Sequence, residues 1–329
     1  MKATKIISAC AVLVALASCS NDHVISQPGA EDTPIRIQAN VGAVTTKAAS
    51  DIQGSQFDQD EYINVYLFEK TGGSITTETK YGTNQDGLVL FKTTNNQGSM
   101  SPDDSSIKLS YPTSGNPVNV YALYPALSSD ANYNIKKETN SFSVVVNQSS
   151  DADYKKSDLM FAKQVEASKS KNAIDLTFEH QLTKIKVELS PGQGLQDVAS
   201  ASIKMLNVNK TIAISSIDPS TGLTFGTTSE PVSTGIDFGT VTSNEEKAII
   251  IVPQKITPSG QTLFEVTYNG AKYKYNLDSS GTEIDFAAKT EYTYTLMLTS
   301  GGLEVKSLQI SPWTAQTGGS GNAELETTP

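Results

Sequence analysis

Apolar and polar residues alternate along most of the chain. Ile35, Ile37, Ala39 and Val41 are separated by Arg36, Gln38 and Asn40. The same period of two runs through Ile63, Val65 and Leu67, through Phe142, Val144 and Val146, and through Tyr292, Tyr294 and Leu296. In an extended backbone, alternate side chains point to opposite faces, so each segment predicts a strand with one buried face. No stretch after residue 20 sustains the 3.6-residue period of a helix. The sharpest local signal is Phe264–Tyr268, then Asn269-Gly270, then Tyr273–Leu277. Asn-Gly supplies the two positive-φ residues of a type I′ turn, whose twist matches that of the flanking strands. Many short strands punctuated by Gly, Asn, Ser and Pro predict an all-β protein built of β-sandwiches.

One segment changes phase. Leu176, Phe178, His180 and Leu182 share a face, after which Ile185, Val187 and Leu189 take over. A β-bulge near Thr183-Lys184 is the expected cause, because one extra residue reverses the pleat. Residues 20–34 are polar, carry Pro28 and Pro34, and read as a tether. The Lys- and Ser-rich stretch 164–173 reads as a junction, dividing the chain into domains over 35–165 and 174–316. Residues 317–329, opening on Thr-Gly-Gly-Ser-Gly-Asn, read as a flexible tail.

The N-terminus adds a compartment. Lys2 and Lys5 precede an apolar run from Ile6 to Ala17, which is too short to span a bilayer, and a polar stretch follows. This is a secretory signal peptide over residues 1–18. Its end, Leu16-Ala17-Ser18-Cys19, resembles the bacterial lipobox, in which cleavage before the Cys leaves a thiol to carry the lipid. Cys19 is therefore the expected lipidation site, and several acyl chains on one residue anchor stably at about 0.8 kcal/mol per buried CH₂. The second Cys, Cys10, is lost with the signal peptide, so no disulfide is expected and stability must come from burial. The formal net charge is −10 and Arg36 is the single arginine. That balance excludes an electrostatic footprint for nucleic acid.

Catalytic patterns are missing. There is no Gly-x-Ser-x-Gly elbow, phosphate-binding Gly loop or dinucleotide fingerprint. Beyond the signal peptide the histidines are His23 and His180, too few for a His-rich metal site. The acidic clusters Asp58, Asp60, Glu61 and Asp151, Asp153, Asp158 lack EF-hand spacing and read as solvated loop carboxylates. His180 falls on an apolar face and reads as a buried, neutral, structural residue with its ring bonded to backbone. Trp313, the only Trp, reads as an anchor where the last strand ends. No catalytic residue, metal or cofactor is expected.

Several segments, in order, resemble the Mfa-like fimbrillins, type V pilus subunits of Bacteroidales. The segment Leu176-Thr-Phe-Glu-His-Gln-Leu-Thr-Lys-Ile-Lys-Val is similar to a core motif of that family. Val120-Tyr-Ala-Leu-Tyr-Pro125, Ser157-Asp-Leu-Met-Phe-Ala162, Ala248-Ile-Ile-Ile-Val-Pro-Gln254 and Ile310-Ser-Pro-Trp313 match further landmarks across nearly the whole mature chain.

The resemblance implies two tandem transthyretin-like β-sandwich domains and transport to the outer membrane as a lipid-anchored precursor. It also implies assembly into a surface-exposed fimbrium. A trypsin-like protease would remove the first strand, and a strand from a neighbouring subunit, self or another, would fill the groove. The matching processing site is Thr46-Lys47-Ala48, with cleavage between Lys47 and Ala48. The family has Arg where this chain has Lys47, so either a Lys-tolerant protease cuts here or the chain is not processed. The groove would be left by Ile35, Ile37 and Val41, and Leu308 and Ile310 would belong to the donor strand. The alternatives are a non-polymerising surface lipoprotein that binds glycan or protein, such as a host or bacterial receptor, and a carbohydrate-active enzyme.

Overall fold

In a computed structural model, the described residues are 33–42, 57–71, 79–80, 88–126, 140–218, 222–242 and 245–313. Cys19, the tether as far as Asp32, Lys47, Ala48 and the tail after Trp313 lie outside them, whereas the last tether residues, Thr33 and Pro34, are bonded to the fold, Pro34 bridging to Ser110. The described residues fall in one compact unit by their contacts.

The first part of the chain contributes β1 (Ile37–Val41), β2 (Tyr62–Glu69), β3 (Thr79–Lys80), β4 (Leu88–Thr93), β5 (Ser99–Pro102), β6 (Val118–Tyr124), β7 (Asn140–Ser143), helix α1 (Asp151–Ser157), β8 (Met160–Ala167) and β9 (Ile174–His180). Eight of these strands make one sheet in the order β3-β2-β4-β5-β1-β9-β8-β6, and β2 also pairs with β6. That extra pairing closes seven strands into a ring. Inside it lie Ile35, Ile37, Ala39, Val41, Ile63, Val65, Leu67, Phe91, Val120, Ala122, Leu176 and Phe178. The opposite faces of β2 and β6 are also covered, by Tyr66, Phe68, Tyr121 and Leu123 packing into a second core. Burial on both sides leaves every residue of Val118–Tyr124 buried, polar Asn119 included.

The second part contributes β10 (Thr183–Pro191), β11 (Ser202–Met205), β12 (Val208–Asp218), β13 (Gly222–Val232), β14 (Ile236–Thr240), β15 (Glu246–Ile251), β16 (Gln254–Ile256), β17 (Thr262–Tyr268), β18 (Ala271–Asn276), β19 (Ile284–Phe286), β20 (Thr290–Thr299) and β21 (Gly302–Pro312). Two four-stranded sheets, β15-β10-β20-β21 and β14-β11-β17-β18, face each other across the second core. Phe264 and Tyr294 meet across that core at 4.9 Å. The Asn269-Gly270 turn forms as expected, with φ of 48° and 78°, and joins β17 to β18.

Two local expectations change. The polar stretch 164–173 covers the end of β8 and its connection to β9, and these strands pair antiparallel, Met160 with His180 and Phe161 with Glu179. The chain leaves this sheet later, at Gln181-Leu182, and enters the next at Thr183. The phase slip after His180 is therefore a crossing between sheets and not a bulge inside one strand. The residues 140–158 also cross over. The strand β7 pairs with β12, and buried Gln148 donates from Nε2 to the Ile250 carbonyl and accepts from the Ile250 N–H, both at 2.8 Å.

Candidate functional site

The strand β1 sits between two neighbours of opposite sense. It runs antiparallel to β5, with Ile37 opposite Met100. It runs parallel to β9, with Ile37 through Val41 opposite Ile174 through Phe178. Further backbone bonds extend the docking: Ile35 N–H to Leu109 at 2.8 Å, Ala39 N–H to Gly98 at 2.8 Å, Gly42 N–H to Phe178 at 2.9 Å and Ile174 N–H to Arg36 at 2.8 Å. Its inward side chains, Ile35, Ile37, Ala39 and Val41, are each at most 7% exposed. Without β1, the ring would open between β5 and β9 and expose a groove floored by Leu176 and Phe178. Gly98 shapes one wall, with φ of +79° and no side chain to obstruct the Ala39 backbone.

Near the opposite terminus, β21 is, among the described residues, an edge strand bonded to β20 alone. A register shift between Thr295 and Leu296 interrupts the pairing, after which Leu308 faces Tyr294 and Ile310 faces Tyr292. Both tyrosines are buried, yet Leu308 is 42% and Ile310 61% exposed. The edge of the sandwich thus leaves two large apolar side chains in water.

His180 and Trp313 join these two regions. His180 ends β9, and Trp313 follows β21. Their rings stack at 4.1 Å and 8°, and each residue is 6% exposed. The Nδ1 of His180 hydrogen-bonds Asp158 Oδ1 at 2.8 Å, so its partner is a carboxylate and not backbone as expected. Lys184 Nζ stands 5.8 Å from the Trp313 ring centre and 3.3 Å from Glu291. The Trp313 N–H donates to the Lys289 carbonyl at 2.7 Å. No sequence pattern pairs Asp158 with His180, because the contact spans 22 positions and depends on β8 lying beside β9.

Of the acidic residues expected to be solvated loop carboxylates, Asp158 is instead fully buried against His180, and Asp58, Asp60, Glu61 and Asp153 are paired with lysines. Lys155, on α1, bonds Asp58 and lies 3.1 Å from Glu61. Tyr124 donates to Glu61 at 3.1 Å. Burial, with Glu61 and Asp158 nearby, raises the Tyr124 phenol well above its ordinary range. Among the described residues, no group of three or more His, Cys, Asp or Glu is arranged to hold a metal ion.

A model of the fimbrillin-like family matches residues 46–313. The chain belongs to the fimbrillin-like family. This fimbrillin-like chain is 25% identical to "Putative fimbrium subunit Fim1C" of Bacteroides uniformis over 333 residues, covering 98% of this chain and 100% of that protein. Its fold is similar to that of a "putative cell adhesion protein" from Bacteroides uniformis, with a TM-score of 0.62 and 19% identity over 86% of this chain and 99% of the other. A "putative cell adhesion protein" from Bacteroides ovatus aligns with a TM-score of 0.63 and 13% identity, over 85% and 97% of the two chains.

Proposed function

We propose that this fimbrillin-like chain is a structural subunit or adhesin of a cell-surface fimbria, exported as a lipoprotein on Cys19 and assembled by strand exchange. In this reading a protease cuts between Lys47 and Ala48, β1 leaves, and a strand from another subunit or a second copy takes its place. The donor is the C-terminal strand carrying Leu308 and Ile310. The precursor is held at the outer membrane by its lipid, and the two cores belong to two β-sandwich domains. The observation that carries the reading is the seating of β1. It is an inward-buried strand of a closed ring, paired on both sides, and it is joined to the chain by the segment that contains Lys47. The family match supports it from another side, since it begins at residue 46 and omits β1.

A sheet opened at β1 would present two unpaired edges and an apolar floor, the template for β-strand addition. Each large aliphatic side chain buried by a donor contributes roughly 1.5–3 kcal/mol, so three or four hold subunits tightly. The test is to treat the purified precursor with a Lys-specific protease, sequence the new N-terminus and follow size by gel filtration. A new N-terminus at Ala48 with oligomers that survive unboiled electrophoresis is expected. A chain starting at Ala48 that stays monomeric alone and with other fimbrial subunits would overturn the reading. Cys19→Ala should abolish fatty-acid labelling and membrane fractionation of the precursor.

A further inference from the structure

We infer that the Trp313–His180 stack is a latch that keeps β21 docked, and that the seating of β1 holds the latch shut. The inference rests on the strand-exchange reading above and adds a regulatory step to it: loss of the first strand also loosens the last.

Beyond the register shift at Thr295, β21 has little to hold it. From Lys306 to Pro312 no side chain is buried, and the large apolar ones, Leu308 and Ile310, stand in water. Five cross-strand pairs to β20, from Ser311 with Glu291 to Ser307 with Thr295, supply backbone bonding along one side only. The first buried side chain after Leu303 is Trp313. Its ring lies flat on His180, its backbone N–H donates to the Lys289 carbonyl, and Lys289 in turn reaches β9 through Nζ to Glu179 Oε2 at 3.0 Å. The end of β21 is therefore fastened to the end of β9.

The strand β9 depends on β1. Over Ile174–Phe178 its lateral neighbour on one side is β1, in five consecutive register pairs, and Gly42 bonds the Phe178 carbonyl two residues before His180. On the other side β8 lies along β9, with register pairs at Met160–His180 and Phe161–Glu179. When β1 leaves, Leu176 and Phe178 lose their apolar cover, and β9 keeps β8 as its one remaining lateral neighbour. His180 keeps its pairing with Met160 and its bond to Asp158, so the step that opens the latch is a shift of β9 against β8 that tilts the His180 ring off Trp313 and frees the second half of β21 as the groove opens. A donor released only from a chain that can also accept prevents strands from being shed by uncut precursors.

Trp313 is the only Trp, so its fluorescence reports the latch alone. In the full chain, Gly98→Val and Ile37→Asp each unseat β1 without touching Trp313. Hydrogen exchange at Ile37–Val41 verifies the unseating, and far-UV circular dichroism verifies that the sheets persist. The expected result is a red-shifted Trp313 emission, a severalfold rise in acrylamide quenching, and at least tenfold faster exchange at Ser307–Ser311. Because coupling is reciprocal, Trp313→Ala should raise exchange at Ile37–Val41 by a similar factor. Unseated β1 with Trp313 still shielded and Ser307–Ser311 still protected would overturn the latch. Oligomers formed after cleavage under that result would leave strand exchange standing without it. Conversely, a latch that opens in chains that never assemble would sink the strand-exchange reading and keep the coupling.

Discussion

A Cβ on Gly98 would lie 1.9 Å from the carbonyl oxygen of Ala39, so the backbone of β1 fills the space that any side chain at Gly98 would need. The φ of +79° at Gly98 adds a second restriction, because that region costs an L-residue roughly 1–2 kcal/mol. The turn before β5 is thus shaped around a strand that arrives from elsewhere in the chain. Gly98→Ala should destabilise the precursor by more than the conformational cost alone. A chain cut after Lys47 and freed of β1 should show only that cost. Chemical denaturation of both forms measures the difference, and equal losses would contradict the fit between Gly98 and Ala39.

Ile37 is the deepest large side chain of β1, 2% exposed and opposite both Met100 and Ile174. Truncation to Ala in such a site removes transfer energy and leaves a cavity, typically about 2–5 kcal/mol. The substitution should lower the denaturation midpoint of the precursor by that order, and a change below about 0.5 kcal/mol would mean that β1 is not packed as described.

Gln148 holds the crossing segment to β15 through two buried bonds to Ile250. Gln148→Ala leaves an N–H and a carbonyl of Ile250 without these partners. A loss of roughly 1–3 kcal/mol per unsatisfied group is expected, measurable by urea unfolding. Gln148→Glu should fare no better, since a carboxylate cannot donate to the Ile250 carbonyl.

Alkaline pH should weaken the fold through two buried phenols. Burial raises Tyr124 above the ordinary value near 10, reinforced by Glu61 and Asp158, and burial likewise raises Tyr294. In the unfolded chain these groups ionise near pH 10, whereas in the folded chain they stay protonated. Their contribution is complete below pH 10 and is lost as pH rises toward the folded values. Phenolate absorbance should therefore leave Tyr124 and Tyr294 untitrated until the protein unfolds. Tyr124→Phe, which removes one of them, should flatten the fall in melting temperature above pH 10.

Local physics was readable from the residues. The alternation at Ile35–Val41 places every inward side chain of β1, and Asn269-Gly270 marks its hairpin without further information. The seven-residue helix α1 escaped because it is too short to show periodicity, although Ser150 accepting from the Asp153 N–H, with Asp151 and Asp153 in the first turn, is a helix-start signature. What the chain does not advertise locally is which strands meet. The parallel pairing of β1 with β9, the bond from His180 to Asp158 and the insertion of Gln148 beneath β15 join distant segments. No periodicity carries that information. The slip after His180 was visible as a change of phase, but one phase change has two geometric causes, a bulge or a change of sheet.

The parallel pairing also sets an order in time. Ile37 is made early, and its partner Ile174 emerges only once more than half of the chain has been made. Until β9 exists, β1 has half of its ladder missing, and closing so long a loop is entropically slow. The hairpin β17–β18 can form within microseconds of its synthesis, whereas the first ring cannot shut until a distant strand arrives. The segment made first is thus among the last to be placed.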